Sequence, residues 1–276
     1  MGRYERPPRL GEALEILDQG RYTILAGGTD FYPARSNQAI TEDVLDVTAI
    51  AELRGIAEEP EYWRIGPLTT WSDLVAARLP AMFDGYKRAA REVGGLQIQN
   101  AGTLAGNLCN ASPAADGTPN LLALDAIVEL SSRRALRRVS ARRFVVGNRS
   151  TLRDENEIVT AILIPKPRAR TRSSFVKLGT RRYLVISIVM VAVVIEEEAT
   201  GCVGSARIAV GSCSAVPQRL ERLESALQGG AIHGLASQVR PEHFASLSPI
   251  DDVRGTAHYR RRAALELTRR ALRELA

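Results

Sequence analysis

The sequence predicts an α+β protein in two domains that meet near residue 170. Three observations predict it. Up to Pro165, short apolar runs of strand character alternate with segments of helical period. The stretch Lys166–Arg172, KPRARTR, is basic and carries a proline, which is linker composition. Beyond it, three strand-like runs follow one another and two helical segments come last, the order expected of an antiparallel sheet covered by helices.

The elements read in order as follows. Leu10, Ala13, Leu14 and Leu17 have helical spacing up to Gln19. Arg21–Leu25 is a short strand that runs into AGGTD, residues 26–30. Val44–Val47 is a second strand, followed by a small helix around Ile50–Arg54, and Trp63–Ile65 is a third. Thr70 or Ser72 caps the helix of TTWSDLVAARL. Met82–Val93 is a helix closed by Gly94-Gly95. Ile98–Asp116 is too rich in Gly and Asn for a stable helix and too apolar for a solvated linker, which predicts a buried, irregular loop. Leu121–Leu130 reads as helix or strand, and Ile158–Ile164 as a strand. Phe175–Leu178, Ile186–Glu196 and Gly204–Val210 are strands, with a hairpin turn at Thr200-Gly201. The run Tyr183–Ile195 is the most apolar, is too short for a membrane-spanning helix and is rich in Val and Ile, so it reads as buried strand. Helices are expected near Gln218–Leu227 and His258–Leu275.

Composition narrows the function. The cysteines are Cys109, Cys202 and Cys213, an odd number without a CxxC pair. That argues against a disulfide framework, and against a metal or iron–sulfur site held by this chain alone. A reduced, cytoplasmic setting is expected. MGRYERPPRL has no apolar core of a signal peptide. The net charge of +6 raises nucleic-acid binding, but aromatics are 5% of the chain and none interleave the arginines as stacking platforms. The basic runs therefore read as solvated or partner-facing surface. Cys109 has no histidine near it in sequence and reads as a small buried residue.

Two glycine-rich segments carry the chemistry. In AGGTD, Gly27 and Gly28 permit positive φ and close approach of backbone to a ligand. Successive backbone N–H groups then form an anion nest, and Thr29 adds a hydroxyl. Asp30 repels phosphate, so it braces the loop or accepts from sugar hydroxyls. In NAGTLAGNLCNASPAAD, Gly102, Thr103, Gly106 and Asn107 repeat the theme, and Asp116 is an acceptor suited to ribose hydroxyls. Neither segment is GxGxxG or GxxxxGK[ST]. Together they suit a diphosphate gripped from both sides, its charge met by N–H dipoles with no Lys or Arg clamp.

AGGTD and QNAGTLAGNLCNASPAADGTPNLLAL, residues 99–124, resemble the two FAD diphosphate motifs of the flavoprotein subunits of molybdenum hydroxylases, the xanthine dehydrogenase and carbon monoxide dehydrogenase type. The likeness continues in Glu157–Pro165, in FVKLGTRRYLVIS and in DVRGTAHYRRRAALELTRRAL, in order over nearly the whole chain. It departs at Ala105, where the family has glycine in GTIGGN; a methyl group there is strained if φ is positive.

The resemblance implies a PCMH-type FAD-binding domain over residues 1–168, in α/β halves of about 1–55 and 56–168, and a smaller α+β domain over 172–276. It implies FAD held by Leu25, Ala26, Gly27, Gly28, Thr29, Asp30 and Phe31 on one side. On the other stand Ala101, Gly102, Thr103, Gly106, Asn107, Asn110 and Asp116. Ile158 and Val159 would pack on the flavin or its ribityl chain, and Lys177 would approach from the second domain. Tyr183 and Ile186 would lie beside the isoalloxazine ring. For Lys177 the bland alternative is a solvent-facing lysine, and for Tyr183 a boundary aromatic. No side chain is assigned a catalytic role and no metal is expected here.

The implied function is electron transfer within a hetero-oligomer, a dimer of heterotrimers being one form. An iron–sulfur subunit would deliver electrons from a molybdenum-cofactor subunit, and NAD or a quinone would take them, with no nucleic acid and no membrane span. The alternatives are a stand-alone FAD-dependent reductase or oxidase of the same cofactor fold, or a non-enzymatic basic anion- or nucleic-acid-binding protein.

Overall fold

The computed structural model describes residues 2–36 and 38–276. The first half opens with β1 (Tyr4–Glu5), α1 (Leu10–Gln19), β2 (Thr23–Leu25) and β3 (Val44–Asp46). The strands form a parallel sheet in the order β1-β3-β2. Ala13 and Leu17 of α1 press on Leu45, Val47 and Ile50, the small core of this half. Parallel strands direct their carboxyl ends to one edge, and AGGTD leaves β2 at that edge.

The second half comprises β4 (Ile56–Glu58), β5 (Tyr62–Ile65), a run of five short helices, two β-hairpins with a sixth helix between them, and a closing strand. The helices are α2 (Trp71–Ala76), α3 (Asp84–Glu92), α4 (Leu96–Ala101), α5 (Leu104–Asn110) and α6 (Gly117–Ala123). After them come β6 (Ile127–Ser131), β7 (Leu136–Ser140), α7 (Ala141–Phe144), the hairpin β8 (Val145–Gly147) and β9 (Ser150–Thr151), and β10 (Ile158–Pro165). β10 returns to the centre of an antiparallel sheet, β4-β5-β10-β6-β7. Its residues 158–164 are all buried, as its unbroken apolar run requires.

Thr70 caps α2: its hydroxyl accepts from Asp73 N–H at 3.1 Å while the Asp73 carboxylate accepts from Thr70 N–H at 2.9 Å. The segment expected to be an irregular loop is largely helical, since α4 and α5 occupy it. Thr103 caps α5 by accepting from Gly106 N–H at 3.0 Å, and Leu104, Ala105 and Leu108 are buried in the core that holds Trp71. Burial and the cap outweigh the poor helix propensity of Gly and Asn. The ambiguous run Leu121–Leu130 divides into the end of α6 and β6, with Asp125 at φ 49° between them.

The last part holds β11 (Arg170–Leu178), β12 (Val189–Glu197), β13 (Val203–Gly211), β14 (Gln218–Arg219), α8 (Glu221–Leu227) and α9 (Ala257–Arg273). The strands make an antiparallel sheet in chain order. β11 begins inside the expected linker, which shortens to residues 166–169. β12 begins at Val189, so Tyr183–Ile188 is not strand: Leu184 turns with φ 52°, and Tyr183, Leu184 and Ile186 are more than half exposed.

This sheet is buried on both faces. Met190, Ala192 and Val194 pack with the second-half core, while Val189, Val191, Val193 and Ile195 pack with Leu223, Leu227, Ala264 and Leu272 of α8 and α9. Arg207 and Arg219 reach across to α6, donating to Ala123 O at 2.9 Å and Leu122 O at 3.0 Å. They meet the carbonyl end of that helix, where positive charge is favoured.

Arg260 of α9 is buried and donates to Ile188 O at 2.6 Å, Ser212 O at 3.1 Å and Asp252 Oδ1 at 2.7 Å. The Arg254 N–H first, and the Arg260 guanidinium after it, hold the Asp252 carboxyl down at about 2. A depressed acid contributes stability above its unfolded value that is lost as pH falls through its folded value. Between pH 4 and about 2 the chain should lose unfolding free energy, and Asp252→Asn should flatten that dependence, read from urea unfolding at stepped pH.

Candidate functional site

The two glycine-rich segments meet at backbone distance. A Cβ built on Gly27 would lie 1.9 Å from the Ala101 carbonyl oxygen at the end of α4, so only glycine fits there. Gly27 serves close approach and Gly28 the turn, with φ +69°. The second segment is pinned from the other side by Trp71 N–H to Gly102 O at 3.2 Å and Leu104 N–H to Thr69 O at 2.9 Å. Ala105 sits inside α5 without positive φ, so its methyl group carries no backbone strain.

Between the segments opens a cleft of about 790 Å³. That is within the range of roughly 300–1,000 Å³ for cofactor-sized pockets. Leu25, Ala26, Gly27, Gly28, Thr29, Asp30 and Phe31 line one wall, and Gly102, Thr103, Gly106, Asn107 and Asn110 the other, with Ile158 and Val159 at the floor. Ala101 is exposed and turns its carbonyl to Gly27.

Four other candidates lie outside this lining. Asp116 and Lys177 form a buried ion pair of 2.6 Å, with side chains 7% and 5% exposed, and Ser187 Oγ donates to the second carboxylate oxygen at 2.5 Å. Burial holds the Asp116 carboxyl above its ordinary value against the pull of Lys177 and Ser187. Glu92 at the end of α3 is raised by burial too, with Lys177 pulling it down and Asp116 pushing it up. Lys177 is thus not solvent-facing: it joins β11 to the residue that precedes α6. Tyr183 and Ile186 stand exposed on the loop between β11 and β12, whose Leu184 touches the Gly94-Gly95 end of α3.

The cleft also holds cations, contrary to the expectation of N–H dipoles alone. Arg21, Arg35, Arg149 and Arg153 line it. Arg35 lies 3.8 Å from the Phe31 ring centroid and donates to Phe31 O at 2.9 Å. Arg149, on the β8–β9 hairpin, donates to Asp30 Oδ2 and to Asn110 Oδ1, each at 2.8 Å. It therefore joins the two glycine-rich segments. No local spacing announced this, because Asp30 and Arg149 are 119 residues apart.

Cys109, which lines the cleft, and Cys213 are not primed as nucleophiles: desolvation pushes Cys109 up to about 11 and Cys213 to about 12. Among the described residues no group of three or more His, Cys, Asp or Glu side chains converges as a metal site. Among them, too, no helix is long and apolar enough to cross a membrane.

Comparison with known proteins agrees with this geometry. Residues 1–167 match the family described as FAD binding domain in molybdopterin dehydrogenase. Residues 174–275 match the CO dehydrogenase flavoprotein C-terminal domain. The nicotine 6-hydroxylase medium subunit of Paenarthrobacter nicotinovorans is 32% identical, over 99% of this chain and 96% of its own. The carbon monoxide dehydrogenase medium chain of Hydrogenophaga pseudoflava is 30% identical, over 98% and 95%. The solved structure of reconstituted CO dehydrogenase from Oligotropha carboxidovorans superposes with a TM-score of 0.90 at 27% identity, covering 100% of this chain and 97% of the matched one.

The buried pair gives a direct test. Lys177→Met leaves Asp116 buried without a counter-charge and should cost about 3–5 kcal/mol of stability. Lys177→Met combined with Asp116→Leu should recover most of that loss in the same urea titration.

Proposed function

This chain belongs to the FAD-binding flavoprotein family of molybdopterin dehydrogenases, and from that premise we propose that it is the electron-transfer subunit of a molybdenum hydroxylase complex. It would take electrons from iron–sulfur clusters on a partner subunit and pass them to an acceptor such as NAD or a quinone. The chain is an FAD-dependent oxidoreductase subunit of the xanthine and carbon monoxide dehydrogenase type. Its relatives carry the names medium subunit, medium chain and FAD-subunit.

The observation that carries the reading is the Gly27 contact. A site that admits no Cβ brings the two glycine-rich segments to one cleft, and its lining of small, hydroxyl, amide and arginine side chains suits a dinucleotide with a charged middle. We assign the diphosphate to Gly27, Gly28 and Thr29 on one side and Thr103, Gly106 and Asn107 on the other. Ile158 and Val159 offer an apolar floor to the flavin end. Asp116 and Lys177 act from behind, fixing the base of the loop that carries Tyr183 and Ile186. That loop would screen one side of the ring.

FAD supplies the redox chemistry when bound, and the protein supplies position and electrostatics. The residues named here bind and orient; none is asked to move a proton. A catalytic side chain is not required for electron uptake and release.

The test uses the complex as purified from its own cells. It should hold FAD, iron and molybdenum with this chain. After reduction with dithionite, re-oxidation of the cluster absorbance by NAD or a quinone should require FAD. Stripping the flavin should stop it and adding FAD back should restore it. Equal re-oxidation with and without FAD would overturn the electron-transfer role. A chain that neither holds FAD nor co-purifies with iron and molybdenum would overturn the assignment to a complex.

A further inference from the structure

We propose that Arg149 is the diphosphate-binding cation of the cleft, kept in place by Asp30 and exchanged onto the diphosphate of FAD as the cofactor enters. The inference rests on the reading of this cleft as the FAD site and adds to it a residue, a ligand group and an exchange of partners.

The glycine-rich segments carry no cation of their own, and the first ends in a carboxylate, Asp30. A dianionic diphosphate beside Asp30 would be repelled unless a cation entered the same space. The other cleft arginines do not bridge the two segments. Arg35 holds Glu42 and Phe31 O, and Arg153 donates to the carbonyls of Asp154, Glu155 and Glu157. Arg21 pairs with Glu155. Arg149 alone among these four touches both glycine-rich segments, through Asp30 and Asn110.

Its present pairing is easily given up. The Arg149 and Asp30 side chains are 59% and 49% exposed, and such pairs are worth little. A phosphate offers the planar guanidinium a two-point contact of higher charge. The backbone adds a second line of argument. Arg149 has φ 55°, uncommon for a residue with a side chain, and its N–H donates to Ala111 O at 3.1 Å. Ala111, the C-cap of α5, is itself at φ 49°. Two left-handed residues bonded to each other hold the hairpin tip against the end of α5. Such strain persists where the surrounding structure over-determines a position, and here that position aims a guanidinium into the cleft.

The experiment is FAD titration of the flavin-stripped chain, followed by flavin fluorescence at several KCl concentrations. Arg149→Gln should weaken FAD by about tenfold or more, the size expected of one hydrogen-bonded charged contact. Its salt dependence should become shallower by about one ion, and Arg149→Lys should recover part of the affinity. Asp30→Asn should bind FAD as tightly as the parent or more tightly, because it frees Arg149. A loss of under twofold in Arg149→Gln would overturn the proposal. So would an Asp30→Asn loss equal to that of Arg149→Gln, since the pair would then be only a brace. A parent chain that takes up no FAD at all would instead overturn the flavin reading, and the clamp with it.

Discussion

The close contact of Gly27 with the Ala101 carbonyl is the constraint on which the site depends. It brings the carboxyl edge of a three-stranded parallel sheet against the end of a helix from the other half of the domain. Any Cβ at that point would force the two segments apart, and the cleft between them would lose its shape. The other contacts of the region hold this approach in register. The backbone bonds from Trp71 and Leu104 fix the second segment from below. The Arg149 bonds to Asp30 and Asn110 close it from above.

Charge inside the molecule is handled by pairing across elements. Lys177 and Asp116 meet where the last part touches the second half, and Ser187 adds the bond that ties down the following loop. Arg207 and Arg219 cap the end of α6 from the far sheet. Arg260 gathers the starts and ends of three chain segments. Each of these arginines answers carbonyls as well as carboxylates, which is what a forked, permanently charged group does well.

Much of this was legible in the sequence where the cause is local. The Thr70 cap, the Gly94 turn and the apolar runs of β10 and β12 are all set by neighbours within a few residues. The glycine-rich segments were legible as places of close backbone approach, since Gly27 admits no side chain and Gly28 turns with positive φ. The helicity of α4 and α5 was not, because burial beside Trp71 and the Thr103 cap decide it against residue propensity. The ion pair of Asp116 was not legible either. A carboxylate in a loop reads as an acceptor for ligand hydroxyls, and only the fold shows Lys177 arriving from 61 residues away. Arg149 was equally hidden, one arginine among many until the hairpin carries it to the cleft.

The C-terminal sheet has a consequence for how this protein is inherited. Met190, Ala192 and Val194 turn toward the N-terminal part and are as fully covered as any core residue. The seam that the chain shows near residue 170 is a seam in the covalent order and not in the interior. Either piece made alone would present a wide oily face to water, with Phe175 and Ala209 on one piece and the flanks of α3 and α6 on the other. Recombination that shuffled one piece without its mate would therefore give an unstable product. The two segments are expected to travel through evolution as a single module, each serving as the missing wall of the other.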